Sequence, residues 1–425
     1  MNMNGWDTIF AASTAYANNA MAQHASQLLP SVDTQVSGAL GTFTISAQFG
    51  PWQIVPGGSG QLIHVLLPIT SGTFTCPGGD SYSLAGYQPI MQFSLQLVGT
   101  SGPSASQQLL FDIQQAGQLG QPAAQGLVTP FAFAQSVPIT DLSLQRILLN
   151  GLANGIAQQA NAIIFAFASV GPVPSGTNSW LAPRNCAFAY YEVASGASGY
   201  LVIFSTRGAA SSLPTTIDPS LFAGNVPAAF AIGLPLFLAN VTLPSLVSVF
   251  PGSSAGQFVV NGTPAGLSLA KGSSLQLGGQ QVGAITYDPQ ITSLSLAPGD
   301  GAITATANGE CNLYGGCSMT FTATATNQFV FDQHAGTCSF QGDSNPSVHH
   351  DTSVPWWYLF GGALAYAIAN TVAAVVADKM AGLIGGQVGS NTLSAAPPAS
   401  VQFAGMQNFT ASNVSFDGAL VMQAG

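Results

Sequence analysis

GTFTISAQFGPWQIVPGGSGQLIHVLLPI, residues 41–69, decides the fold class. From Gly41 to Phe49 the residues alternate strictly. Phe43, Ile45, Ala47 and Phe49 point one way, and Thr42, Thr44, Ser46 and Gln48 point the other, the period of a strand with one buried face. Pro51-Trp52 interrupts the run. Pro56-Gly57-Gly58-Ser59-Gly60 then supplies turn chemistry, and Leu62 to Leu67 form a second, more fully apolar strand. The two runs are expected to form a hairpin with one face buried and the other neutral and polar.

The whole chain shares that neutral polarity. Its 425 residues allow two or more domains, each with its own core. Apolar residues make up 47%, but only 5% are charged, against about 25% in ordinary domains. Low charge with ordinary hydrophobicity is the reverse of a disordered composition. It also weakens the repulsion that keeps proteins apart, which favours self-association or a partner surface. Net charge is −10, and the fixed cations are the scattered Arg146, Arg184, Arg207, Lys271 and Lys379. Nucleic-acid binding needs clustered cations, so that class is excluded, and tight binding to anionic membranes is disfavoured. The start MNMNGWDTIF lacks a basic segment ahead of an apolar core, so the expectation is a cytoplasmic product without a Sec-type signal peptide. There are five cysteines. Cys311 and Cys317 are spaced to close a small disulfide loop, with Cys338 nearby, and free buried thiols fit equally well.

Four long apolar helices are predicted in an otherwise strand-rich sequence. The first spans residues 7–29, with Asp7 as N-cap and Pro30 as stop. The second spans 141–168, with Leu144, Leu148, Leu152, Ile156, Ile163 and Phe167 on one stripe. A third covers 218–246, broken or ended by Pro235 and Pro244. The fourth covers 355–383, opens Trp356-Trp357-Tyr358 and carries Gly361-Gly362 as a kink. Between the third and fourth, Met319, Phe321, Ala323 and Ala325 alternate with Thr320, Thr322, Thr324 and Thr326 as a strand. Strand tails are expected at 187–205 and 400–422. The order helix, sheet, helix, strands thus occurs twice, with a seam in 208–217. The uncharged run 354–377 exceeds the ~20 residues that span a bilayer. It is nevertheless rich in Ala and Gly, contains Asn370 and Thr371, and has no basic flank, so no transmembrane span is expected.

Catalytic motifs read as structural ones. Gly252-Ser253-Ser254-Ala255-Gly256 has the G-x-S-x-G spelling, but a nucleophile elbow needs a strand before the serine and a helix after it. Here a strand, Gln257 to Gly262, follows, so a turn is expected. Pro56 to Gly60 is followed by no Lys and no helix, which makes it a hairpin or bulge at positive φ rather than a phosphate loop. His349-His350-Asp351, with His334 and Cys338 upstream, reads as a solvated loop, because adjacent histidines on an extended segment face opposite ways. The 15 carboxylates are scattered. No catalytic residue, metal site or cofactor is assigned.

Gly5-Trp6-Asp7, the stretch 41–69 and the region 301–384 carry a resemblance to the TULIP (tubular lipid-binding) superfamily. Within it, the chain resembles the OrfX-type and forty-seven-kilodalton accessory proteins of clostridial neurotoxin gene clusters. The resemblance implies an α+β fold of two tandem modules, 1–210 and 211–425, each a highly curved antiparallel sheet wrapped around long apolar helices. A helix of about 28 residues would be ~42 Å long and suit the axis of such a tube. It further implies a non-enzymatic protein that holds a lipid or other apolar ligand, with family-related partners encoded nearby in a toxin-associated assembly. The scarcity of Lys departs from any preference for anionic headgroups. Candidate tube-lining residues are Ile156, Ile163 and Phe167 on the second helix, and Phe360, Tyr366 and Val372 on the fourth. The alternative is a filled core that acts as a scaffold and meets partner proteins through neutral polar sheet surfaces.

Overall fold

Residues 41–49 do form a strand, and Phe43, Ile45 and Ala47 are buried on it. It does not pair with the apolar run 62–66, so the expected hairpin is not formed; each strand joins a different sheet. The computed structural model describes residues 1–38, 41–99, 106–171, 179–193, 199–250, 252–282, 284–313, 316–353, 374–375, 393–394, 400–406 and 408–425. Contacts gather the chain into two units. One comprises Ile9–Ala229 with Pro397–Phe409. The other comprises Met1–Thr8, Phe230–Ala396 and Thr410–Gly425.

The unit built on Ile9–Ala229 begins with β1 (Thr8–Ser13), whose first residue belongs to the other unit, and α1 (Thr14–Gln23). A four-stranded antiparallel sheet follows, formed by β2 (Ser31–Gly38), β3 (Gly41–Phe49), β6 (Ile69–Thr75) and β7 (Ser81–Ser83), in that order. A larger sheet has β8 (Pro89–Gly99) near its centre. On one side of β8 lie β11 (Leu127–Phe133) and β10 (Gln115–Ala116). On the other lie β9 (Gln107–Asp112), β12 (Ala166–Val170) and β27 (Val401–Phe403). The hairpin of this region is β4 (Gln53–Ser59) with β5 (Leu62–Leu66), and β5 also pairs with β8. Residues Pro56 to Ser59 therefore belong to a bulged strand: register shifts between Val55 and Ser59, with Gly57 at φ 110° and Gly60 at φ 61°. A second hairpin joins β13 (Asn185–Glu192) to β14 (Gly199–Thr206), within the expected strand tail.

The helices are shorter than predicted. Residues 8–13 are strand, because Thr8-Ile9-Phe10 favours extended backbone and the segment is buried on both faces, leaving no alternation to read. Asp7 is not the N-cap of the helix, a position held by Ser13; its carbonyl accepts a hydrogen bond from Gly233 N–H at 2.8 Å. The helix α1 is pinned to β4 by reciprocal bonds. Asn18 Nδ2 donates to Ile54 O at 3.1 Å, and Ile54 N–H donates to Asn18 Oδ1 at 2.7 Å. The second helix, α2 (Leu142–Gln158), starts where expected: Asp141 Oδ1 accepts from Ser143 N–H at 2.7 Å. It ends at Gln158, followed by a single 3-10 turn, Ala160–Ala162, and then β12. The third predicted helix is a 3-10 turn (Pro219–Phe222), a buried strand β15 (Ala228–Gly233), and the short helical segments α3 (Leu234–Phe237) and α4 (Leu243–Val249), joined by a π-helical turn. Pro235 stands in the first turn of α3, where no N–H is missed, and Pro244 follows directly on the π-helical turn. The fourth predicted helix, with its uncharged run 354–377, lies outside the described residues apart from 374–375.

The other unit is dominated by one sheet. Its strands run in the order β16 (Phe258–Gly262), β17 (Ala265–Leu269), β21 (Gln290–Gly299), β22 (Ala302–Asn312), β23 (Ser318–Asp332), β24 (Thr337–Gln341) and β26 (Leu393–Ser394). β18 (Leu275–Gln276) adds to β21, β25 (Ser347–Ser353) adds to β23, and β19 (Gln280–Val282) pairs separately with β20 (Ile285–Tyr287). Lys271 and Gly272 occupy a turn after β17, closed by Ser273 N–H donating to Ala270 O at 3.0 Å. A final hairpin joins β28 (Ala411–Phe416) to β29 (Ala419–Ala424). The Thr-alternation of β23 is realised as read. Met319, Phe321, Ala323 and Ala325 are buried, and the threonines face out.

Candidate functional site

Two places answer to the functional expectations: the interior around α2 and the outer face of the β21–β22–β23–β25 sheet. The helix α2 packs against β2 and β3 of the small sheet and against β10 and β11 of the large one. Its approach to β2 and β3 is set by Gly151 and Gly155, one turn apart on one face. A Cβ at Gly151 would lie 2.8 Å from Val36 Cγ2 and overlap Ile45 Cδ1. One at Gly155 would overlap Val32 Cγ1. The buried face of the 41–49 strand thus meets bare helix backbone, with no space between. The sequence carried this signal as two glycines four apart within an apolar helix, and the stripe reading passed over it.

Of the candidate lining residues, Ile156 is fully buried on α2. Ile163 follows the 3-10 turn and is partly exposed. Phe167 is fully buried but sits on β12, not on the helix. It packs edge-on against Phe165 and Phe111, with ring centroids 5.1 and 4.9 Å away. Phe111 continues to Phe93 at 5.0 Å and Trp52 at 5.9 Å. Such T-shaped contacts are those of a filled aromatic core. Ile163 is therefore less enclosed than the other two, and Phe167 has its aromatic neighbours on or beside its own sheet. Phe360, Tyr366 and Val372 lie outside the described residues.

The outer sheet face is a grid of short polar side chains. Antiparallel register sets Ser268 opposite Ser295, Ser295 opposite Thr306, Thr306 opposite Thr324, and Thr324 opposite Ser347. The next row places Thr304 opposite Thr326, with hydroxyls 3.2 Å apart. Directly opposed residues share a face, so five strands present hydroxyls together. These two rows carry no ionisable side chain.

The remaining motifs resolve into structure. Ser254 lies between α4 and β16, so the order is helix, serine, strand, the reverse of a nucleophile elbow. Its N–H donates to Gln257 Oε1 at 2.8 Å, as at the start of a turn. His349-His350-Asp351 is not a loop. It forms the middle of β25, paired with Thr320 to Thr322, because alternation of Ser347, His349, Asp351 and Ser353 with Val348, His350 and Thr352 suits a sheet strand. The described residues contain no cluster of three or more His, Cys, Asp or Glu side chains able to hold a metal. All five cysteines are free, so the Cys311–Cys317 disulfide is not formed. Burial raises the Cys311 thiol to about 11 and that of Cys338 to about 12.

The glycine stretch has a role that its turn chemistry did not disclose. Gly57 N–H donates to Glu192 Oε2 at 2.7 Å, and Tyr190 N–H donates to Gly60 O at 2.6 Å, clasping the β4–β5 hairpin to β13. A Cβ at Gly57 would lie 2.5 Å from His64 Nδ1, so glycine is required there both for φ and for space. His64 is buried beneath this clasp, with its ring centroid 4.2 Å from that of the exposed Phe131. Burial pushes the His64 pKa below its ordinary 6.5, against the opposing pull of the Pro56 carbonyl and the Glu192 carboxylate. Burial and the same carboxylate raise Tyr190 to about 12.

Among the described residues no helix is long and apolar enough to cross a membrane. The sequence profile of the OrfX-like family, described as Protein OrfX2/OrfX3/P47, matches residues 3–420. Protein P47 of Clostridium botulinum (strain Kyoto / Type A2) is 23% identical over 404 residues, covering 92% of each chain. The structure of P47 from Clostridium botulinum A2 superposes with a TM-score of 0.77 at 21% identity, covering 100% of this chain and 98% of that one. P47 of Clostridium botulinum E1 gives 0.75 at 20% identity, covering 99% and 98%. At these identities the structural likeness speaks for the fold. Membership rests on the profile, which spans nearly the whole sequence: this chain belongs to the OrfX-like family of OrfX2, OrfX3 and P47 proteins.

Proposed function

We propose that this protein is a non-enzymatic scaffold that presents the neutral hydroxyl rows on the outer face of β21–β22–β23–β25 to a partner protein. The observation that carries this reading is the occupied interior. Gly151 and Gly155 bring α2 into contact with β2 and β3, and Phe167 is enclosed by Phe111 and Phe165. An acyl chain laid along Ile156 and Phe167 would have to displace these side chains, losing packing worth about as much as it gains at ~25 cal/mol per Å². The two hydroxyl rows, by contrast, face outward and carry none of the charge that keeps surfaces apart. In this reading the partners are family-related proteins encoded nearby, in keeping with the resemblance to accessory proteins of toxin gene clusters, and the two modules, 1–210 and 211–425, are repeats of one design. The competing reading places a lipid in a tube lined by Ile156, Ile163, Phe167, Phe360, Tyr366 and Val372.

Native mass spectrometry of freshly purified protein, paired with organic extraction, separates the two. The expected result is a bare mass of about 43.2 kDa with no stoichiometric lipid in the extract. Mixing with the neighbouring family proteins should give a complex that Thr306→Lys with Thr324→Lys abolishes. A stoichiometric lipid adduct would replace the scaffold reading with the tube.

A further inference from the structure

Beside the hydroxyl rows, the same sheet carries a depression of about 420 Å³, within the range of small-molecule sites. Its position follows from one irregularity. Register on β21 shifts between Ile291 and Ser293, leaving Thr292 as an inserted residue opposite Asn308 and Gly309. A β-bulge bends its strand and increases local twist, which turns a flat face concave. Gly309 answers the bulge directly: a Cβ there would overlap both Gln290 O and the Phe321 ring, so only glycine lets the strands approach.

Two rows of side chains line the depression. Asn308 stands opposite Thr322, and Thr322 opposite His349. Glu310 stands opposite Thr320, and Thr320 opposite Asp351. Thr322 Oγ1 donates to Asn308 Oδ1 at 2.8 Å, which fixes the amide and leaves its Nδ2 hydrogens to point elsewhere. Glu310 Oε1 accepts from Gln290 Nε2 at 2.9 Å and retains its second oxygen. His349 Nε2 lies 3.3 Å from Ser347 Oγ.

The donor and acceptor set selects a ligand class. Two carboxylates and no Lys or Arg in the lining repel phosphate, sulfate and other anions. A lining dominated by hydroxyl, amide, imidazole and carboxylate groups gives an apolar molecule little to bury against. Among uncharged molecules, the lining suits one rich in groups that both donate and accept. Vicinal hydroxyls meet that description: they can donate to Glu310 and Asp351 and accept from Asn308 and the threonines. We propose that the depression between β21, β22, β23 and β25 binds a neutral saccharide, free or as the glycan of a glycoprotein. This goes beyond the scaffold reading and does not depend on it, since a lipid in the interior would leave the outer face unchanged.

The test is saturation-transfer NMR of the full chain with lactose, maltose and N,N′-diacetylchitobiose, with sialyllactose as the anionic counterpart. At least one neutral saccharide should give saturable binding. Asn308→Leu and, separately, Glu310→Gln should each weaken it by about tenfold, the worth of one lost hydrogen bond. Thr306→Val, on the same face but outside the lining, should leave it unchanged, and sialyllactose should bind less well than lactose. Both altered pocket residues are exposed, and matching thermal melts establish that the variants fold. If Asn308→Leu does not fold, Glu310→Gln carries the test. Displacement of the neutral saccharide by asialofetuin would show that a protein-borne glycan is accepted. Absence of saturable binding to all three neutral saccharides, or equal binding by both pocket variants, overturns the proposal. So does preference for an arginine-rich peptide over every sugar.

Discussion

Protonating His64 would place a charge beneath the β4–β5 hairpin, where the ring is nearly inaccessible and packs against Phe131. Because burial lowers its pKa in the folded state, the unfolded chain holds the proton over the interval between that value and 6.5. Stability contributed by the neutral ring is therefore fully present above about pH 6.5 and declines as pH falls through the folded-state value. Melting temperature followed from about pH 7.5 down to about pH 5 should fall more steeply for the native chain than for His64→Gln. Parallel curves for the two would mean that His64 titrates as freely as in a peptide. Glu192 bears on the same balance, since it accepts from Gly57 N–H and draws the ring toward protonation. None of this was legible from Pro56 to Gly60 as a sequence. The glycines announced positive φ and a bulge, both found, but neither the His64 ring that leaves no room for a side chain at Gly57 nor the Glu192 carboxylate that accepts its N–H, 135 residues away, was announced.

Among elements, α2 offers the sharpest test of how the interior is filled. Gly155→Ala raises helix propensity by up to ~1 kcal/mol. It also drives a methyl group into Val32 Cγ1, and overpacking costs ~1–3 kcal/mol. The second effect should win, so urea denaturation should show a net loss of about 1–2 kcal/mol. A stabilised Gly155→Ala would mean that α2 can move off β2 and β3, and that space for a guest exists. The strands of this protein were legible wherever one face meets solvent. Phe43, Ile45 and Ala47 against Thr42, Thr44 and Ser46, and Met319 to Ala325 against Thr320 to Thr326, declared both their period and their buried side. Segments such as Thr8–Ser13, Gly199–Thr206 and Ala228–Gly233 are buried on both faces and show no strand period, so the first was drawn into the helical stripe of Ile9, Ala12 and Tyr16 that follows it, and the third was read as helix. Phe167 was drawn into a helical stripe for the same reason. Its spacing from Ile163 fits one helical turn, yet Ala166–Val170 pairs with strands on both sides.

For the molecule as a whole, composition spoke more clearly than any motif. A charged fraction of 5% and a net charge of −10 argued against nucleic acid, since the few cations are scattered along the sequence. The family was legible in glycine, proline and tryptophan punctuation because such residues mark places where backbone geometry permits little else. The order of elements suggested one seam near 208–217, whereas contacts group the first eight residues and Thr410–Gly425 with the later half of the chain. Such long-range returns leave no local trace in sequence.

The turn after β17 has a consequence for protease digestion. Trypsin cuts after Lys and Arg, and this chain offers only five such positions. Arg146 is held on α2, Arg184 and Arg207 are exposed at bends, and Lys271 is exposed in the turn beside Gly272. A nick after Lys271 would leave β17 on one fragment and β21 on the other, still paired through Leu267 with Leu296 and Ser268 with Ser295. Brief digestion of a chain carrying Arg184→Gln and Arg207→Gln should therefore give a fragment ending at Lys271 on a denaturing gel and one unshifted peak on a sizing column. Separation of the pieces in native buffer would show that this pairing is too weak to act as a clasp. If they stay together, the backbone is dispensable at Lys271, and a new pair of chain ends or an inserted sequence can be placed there without unmaking the sheet.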